Sequence, residues 1–145
     1  MRRRKVDTGL FGEPSQSYYR ERRMMRREFS ASLMSNTKWR KLFVAIERLN
    51  LALPVCEMKW IDSDGIDTLY TPTSASLYPP RPFVDSRFGP FALCLIEWLE
   101  FPRLATYAGV TYVQDVERAE QALNGVACFP MESTPEGLRV IGHVR

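Results

Sequence analysis

Alternation and periodicity divide the chain into distinct blocks. The clearest helical pattern opens near residue 35: Trp39, Leu42, Phe43, Ile46 and then Leu49 or Leu53 fall on one side. Lys38, Arg40, Lys41, Glu47 and Arg48 surround the other. That spacing predicts an amphipathic helix capped by Ser35, Asn36 or Thr37 and ended by Pro54, since proline cannot continue the hydrogen-bond ladder. The period then changes to two. Cys56, Met58 and Trp60 alternate with Glu57 and Lys59, the pattern of a half-buried strand over residues 55–61. Asp62, Ser63, Asp64 and Gly65 supply a turn, and residues 66–71 return as the second strand of a hairpin.

The most continuously apolar run is FALCLIEWLEFP, residues 91–102, bracketed by Pro90 and Pro102. Periodicity alone does not separate a buried strand from a short buried helix here; its length and its flanking prolines favour a central strand. Residues 107–113 add a β-rich segment around Gly109. Asp115 caps a second helix with Val116, Ala119, Ala122 and Leu123 on one face and Asn124-Gly125 as its stop. Residues 126–131 and 138–144 form a last hairpin across Thr134, Pro135, Glu136 and Gly137. This order predicts an α+β domain: a mostly antiparallel sheet with two main helices packed on one face.

Residues 72–90 break every period. Five prolines punctuate Tyr78, Arg81, Phe83, Asp85, Arg87 and Phe88. A loop this long in a compact domain is uncommon and is usually functional or mobile. Aromatic and arginine side chains on a proline-stiffened loop make good contacts for a protein partner, because stiffening lowers the entropy lost on binding. The competing expectation is that Tyr78, Phe83 and Phe88 tuck under the loop and seal the core.

Charge changes this picture at the N-terminus. Residues 1–33 hold nine Lys/Arg and four Asp/Glu, whereas 34–145 hold eleven and thirteen. The basic character of the whole chain therefore belongs to an arm, and the domain over 34–145 is faintly acidic. The arm is expected to be disordered or a mis-assigned upstream extension, with Met34 as the natural start. A third option is nucleic-acid binding by Arg20, Arg22, Arg23, Arg26 and Arg27 through phosphate neutralisation. Acidic residues where a signal peptide needs an apolar stretch argue against secretion, and no run is long enough to span a bilayer. Cys56, Cys94 and Cys128 are scattered through apolar runs, the pattern of buried free thiols in a reducing cytoplasm.

Candidate chemistry is sparse. Hydrolase, nucleotide-binding and zinc-protease motifs are absent, and no cofactor is called for. Asp62, Asp64 and Asp67 resemble part of a calcium loop, but Thr73 stands where that loop needs its bidentate glutamate, so no metal is expected. His143 alternates with residues of the last strand and is expected to face solvent or a neighbouring strand. Glu97 and Glu100 lie inside the central apolar run, where a charge costs several kcal/mol unless paired. On a strand they point to opposite faces: one is expected to pair with Arg103, Arg40 or Lys41, and the other to mark where the strand emerges into water. Together with Arg81, Arg87 or Arg103 they form the alternative of a small enzyme with a carboxylate and arginine pocket.

The helix opening NTKWRKLF, the segment IEWLEFP and the ending CFPMESTPEGLRVIGH together resemble a family of small uncharacterised bacterial proteins classed as a domain of unknown function. The resemblance covers about 34–145. It implies a bacterial cytoplasmic domain and brings no activity with it. The leading functional expectation is a small protein-binding domain, an immunity or antitoxin-like partner, with Glu57, Asp62, Asp64, Asp67 and Asp85 steering a basic protein.

Overall fold

The computed structural model describes residues 29–61, 63–77, 83–86 and 89–145, with backbone only over 83–86 and 89–92. In chain order the elements begin with β1 (Ala31–Ser32), α1 (Asn36–Arg48), β2 (Val55–Trp60) and β3 (Ile66–Tyr70). A short 3-10 turn (Ser74–Leu77) leads to β4 (Phe83–Ser86), β5 (Gly89–Ala92), a second 3-10 turn (Leu93–Leu95) and β6 (Ile96–Pro102). The chain continues through β7 (Leu104–Tyr107), β8 (Val110–Val113), α2 (Val116–Asn124), β9 (Met131–Ser133), β10 (Gly137–Ile141) and β11 (His143–Val144).

Five strands form one antiparallel sheet in the order β3-β2-β6-β10-β9. Its two faces follow from the period of two. Met58, Leu99 and Val140 pair across three strands, and with Cys56, Trp60, Phe101 and Leu138 they are buried on one side. The same hydrophobic cluster takes in Trp39, Leu42, Phe43 and Ile46 from α1 and Val116, Ala119 and Leu123 from α2, and the helices touch each other. The result is an α+β domain in which strands outnumber helices.

Both helices start as their sequences dictate. The Ser35 hydroxyl accepts from the Lys38 amide at 3.0 Å, and the Asp115 carboxylate accepts from the Arg118 amide at 3.1 Å. The end of α1 differs from expectation. Asn50 takes a left-handed φ of 51°, its amide donates to Glu47 O, and the Leu51 amide donates to Ile46 O. This pair of reversed bonds closes the helix with asparagine in the position usually held by glycine. The helix therefore stops at Arg48, ahead of Pro54, and Leu49 is exposed.

Four other expectations are corrected by the structure. The 72–90 stretch is not one irregular loop: it carries a 3-10 turn and the hairpin β4–β5. The apolar run 91–102 is not one strand: the buried residues Leu93, Cys94 and Leu95 form a 3-10 turn between β5 and β6. Asn36 Oδ1, at the start of α1, accepts from the Cys94 amide at 2.9 Å and ties this stretch to the helix. Residues 107–113 belong to a hairpin, β7–β8, turned by Ala108 and Gly109 at φ 52° and 78°, the doubly positive turn that matches strand twist. The last hairpin also begins later than expected, at Met131.

The N-terminal boundary is softer than composition suggests. Phe29 is buried in the core cluster and β1 pairs with β11, so the described chain joins the domain several residues before Met34. Cys56 and Cys94 are buried, but Cys128 is exposed, in the irregular stretch after α2. Among the described residues no helix is long and apolar enough to cross a membrane.

Candidate functional site

The face of the sheet turned away from the core carries its polar positions in register. One row runs Thr68, Glu57, Glu100, Arg139 and Glu132 across all five strands. The next runs Ile66, Lys59, Trp98 and Ile141. A register shift between Lys59 and Trp60 bulges β6 at Glu97, which brings that carboxylate to Lys59 Nζ at 2.6 Å despite the odd spacing. The Arg139 guanidinium lies 3.8 Å from the Trp98 ring centroid and donates to Glu100 Oε1 at 3.1 Å.

Glu97 and Glu100 are therefore paired with Lys59 and Arg139, not with Arg103, Arg40 or Lys41. Arg145 adds a longer contact to Glu97 at 3.5 Å, and the Thr134 hydroxyl donates to Glu100 at 3.1 Å. Arg103 is engaged elsewhere. It donates to Glu117 at 2.6 Å and to the Thr134 and Pro135 carbonyls at 2.8 and 2.9 Å, and this holds the Glu117 carboxyl below its ordinary range. Glu97, Glu100 and Arg103 thus each take different partners.

At the β7 end of the open face lies a cleft of about 420 Å³. Glu57 and Thr68 form its floor, Pro102 and Leu104 one wall, and Pro135 and Glu136 the other. Gln114 sets the hairpin wall in place. Its side chain, 2% exposed, accepts from the Val55 amide at 2.9 Å and donates to the Val55 and Pro102 carbonyls at 3.0 and 2.8 Å, standing in for a neighbouring strand. Leu104 and Val113 pair on the outer side of this hairpin and are 66% and 85% exposed.

Glu57 is the anomaly of the cleft. No hydrogen bond or ion pair reaches its carboxylate among the described residues. Burial first, then the Glu100 charge and, least, the Glu136 charge push its carboxyl above the ordinary range, against a pull from Arg139 that is weaker than burial or Glu100. Another groove among the described residues, about 430 Å³ between the end of α1 and residues 71–73, has one charged lining residue, Glu47, and that carboxylate already accepts from the Ser74 amide at 2.7 Å.

The other sequence candidates do not gather. Asp64 is exposed in the turn, and Asp67 is half-buried on β3, opposite Met58 on the core face. Phe83 and Asp85 lie on β4, paired in backbone register with Ala92 and Pro90. Tyr78, Arg81, Arg87, Phe88 and Asp62 lie outside the described residues, as does the basic stretch 1–28. Among the described residues no group of three or more His, Cys, Asp or Glu converges to hold a metal. His143 does not face solvent: it is 4% exposed, with Nε2 at 2.6 Å from the Cys94 carbonyl.

Sequence reasoning missed Trp98, Arg139, Gln114 and Glu136. Trp98 was masked by its apolar neighbours, and the signal for Arg139 was the alternation of Leu138 and Val140 around it. No curated protein and no solved structure matches the chain. The family match covers residues 21–145 and so extends from the domain into the basic arm, and the chain belongs to the family of unknown function DUF6678.

Proposed function

We propose that this chain is a cytoplasmic protein-binding domain, an immunity or antitoxin-like partner, whose contact surface is the open face of the sheet and the cleft beside it. Its counterpart is a basic protein that places a lysine or arginine against Glu57. The observation that carries this is the unmatched Glu57 carboxylate. Every other half-buried or buried glutamate on that face, Glu97 and Glu100, has its cation within 3.1 Å. An uncompensated charge in a partly desolvated cleft lowers the stability of the free domain, and a partner's cation reverses that cost. Trp98, fixed under Arg139, offers a rigid aromatic of the kind that anchors protein interfaces.

Tagged full-length chain recovered from a native host, with partners identified by mass spectrometry, tests the proposal. The expected result is a stoichiometric basic protein that dissociates as salt rises and is lost in Glu57→Lys and Glu136→Lys. Recovery of no stoichiometric protein, or full retention by both charge reversals, sinks it.

A further inference from the structure

The chain's one histidine sits at the joint where the N-terminal stretch meets the domain. β1 is two residues long and pairs only with β11. Around that pair, the Ser30 amide and hydroxyl donate to the Val144 carbonyl at 2.7 and 3.1 Å, and the Leu33 amide donates to the Gly142 carbonyl at 2.8 Å. A two-stranded ladder this short is marginal by itself. Side chains complete it. The Phe29 ring lies 5.4 Å from the His143 ring, and the Arg145 guanidinium lies 4.6 Å from the Phe29 ring and reaches Glu97 at 3.5 Å.

The imidazole is satisfied only when neutral. Nε2 faces a carbonyl, so it carries the hydrogen and donates to Cys94 O. Nδ1 is buried and has no hydrogen-bond partner among the described residues. A second proton would put an N–H against no acceptor, inside the joint and on the same side of the molecule as the Arg145 cation. Among the described residues, the charged and titratable groups around the ring are Glu97 from β6, Arg145 beyond β11 and the buried Cys94 thiol; β1 contributes only Ala31 and Ser32. Glu97 is already engaged by Lys59 and Arg145 and is poorly placed to absorb another charge.

We propose that His143 is a proton-operated latch: the neutral ring holds Phe29 and β1 against β11, and protonation at Nδ1 releases the chain ahead of Leu33 from the domain. Burial lowers the pKa of this imidazole and outweighs the Cys94 carbonyl and Glu97, which act in the other direction. Because the closed form has the lower pKa, it binds fewer protons than the open one. Closure is at full strength above the ordinary value of 6.5 and weakens as pH falls below it.

Hydrogen exchange of the full chain, corrected for intrinsic rates, tests this at the Ser30 and Leu33 amides. Between about pH 7.5 and about pH 5 their protection is expected to fall by up to about 30-fold, the limit set by an open-state imidazole of ordinary pKa. The Met58 and Leu99 amides in the central strands keep their protection, and His143→Gln, whose amide still donates to the Cys94 carbonyl, abolishes the pH dependence. Should that variant not fold, the NMR titration of the single imidazole in the unaltered protein serves instead, with a midpoint expected below 6.5. A change under about twofold at Ser30 and Leu33, parallel loss at Met58 and Leu99, an undiminished pH dependence in His143→Gln, or a midpoint at or above the ordinary value each overturns the proposal.

Discussion

Replacing Gln114 by leucine removes three hydrogen bonds at once while leaving the side-chain volume almost unchanged. The Val55 amide, the Val55 carbonyl and the Pro102 carbonyl lose the partners they hold at 2.9, 3.0 and 2.8 Å. Gln114 is 2% exposed and Val55 is fully buried, so water does not take over readily. Stranding a buried backbone group costs about 1–3 kcal/mol; at the low end for each of the three, the loss is about 3 kcal/mol. For a chain of this size that is a fall in Tm of about 10 °C. Urea and thermal unfolding followed by circular dichroism measure it, with Thr106→Ala, on the exposed side of the same hairpin, expected within about 0.5 kcal/mol of the parent. Gln114→Glu should be at least as damaging as leucine, since one carboxylate oxygen would then face two carbonyls. A loss below about 1 kcal/mol for Gln114→Leu at unchanged m would refute the idea that this amide substitutes for a strand.

Thiol labelling of the folded protein should modify Cys128 alone, because Cys128 is exposed whereas burial pushes the Cys56 thiol up to about 12; mass spectrometry of the labelled peptides decides it, and rapid reaction at Cys56 would contradict the packing. Gly137→Ala would set a Cβ 2.0 Å from the Phe101 carbonyl oxygen, so β10 must move from β6, with an expected cost of roughly 3 kcal/mol in denaturant unfolding. Glu57→Gln should raise Tm at neutral pH: a carboxyl whose folded pKa is raised penalises folding when ionised, in full above that folded pKa and not at all below the unfolded one. The gain in melting temperature must therefore fade as pH drops through the carboxylate range, and a gain that persists in acid would point to packing instead.

How far the sequence carried these conclusions depended on the range of the interaction involved. The caps Ser35 and Asp115, the alternation in β2 and the amphipathic stripes were legible because they are local: the residues that set them lie within one turn or one strand. The ion pairs were not. Lys59 meets Glu97 because a bulge in β6 displaces one residue, and nothing in IEWLEFP marks where that bulge falls. Asn50 ended α1 ahead of the more conspicuous Pro54, and Ala108 adopted a left-handed φ that favours glycine or asparagine. The candidate cleft was half visible. Glu57 stood out as a polar position on an alternating strand, but its isolation is a property of the sheet register and of a hairpin held by Gln114.

The β7–β8 hairpin is fixed at its base, where Gln114 and Arg103 tie it to β2, α2 and the turn before β10, and Tyr107 packs edge-on against Tyr70 of β3 at 4.8 Å; it is open at the turn itself, where a Cβ added to Gly109 would meet nothing within 4 Å. Residues inserted at Ala108 and Gly109 would lengthen one lip of the cleft without entering the hydrophobic cluster. The domain thus separates the part of the chain that must fold from a part that can be rewritten, and the depth of the cleft can be altered by loop grafting with the scaffold left as it is.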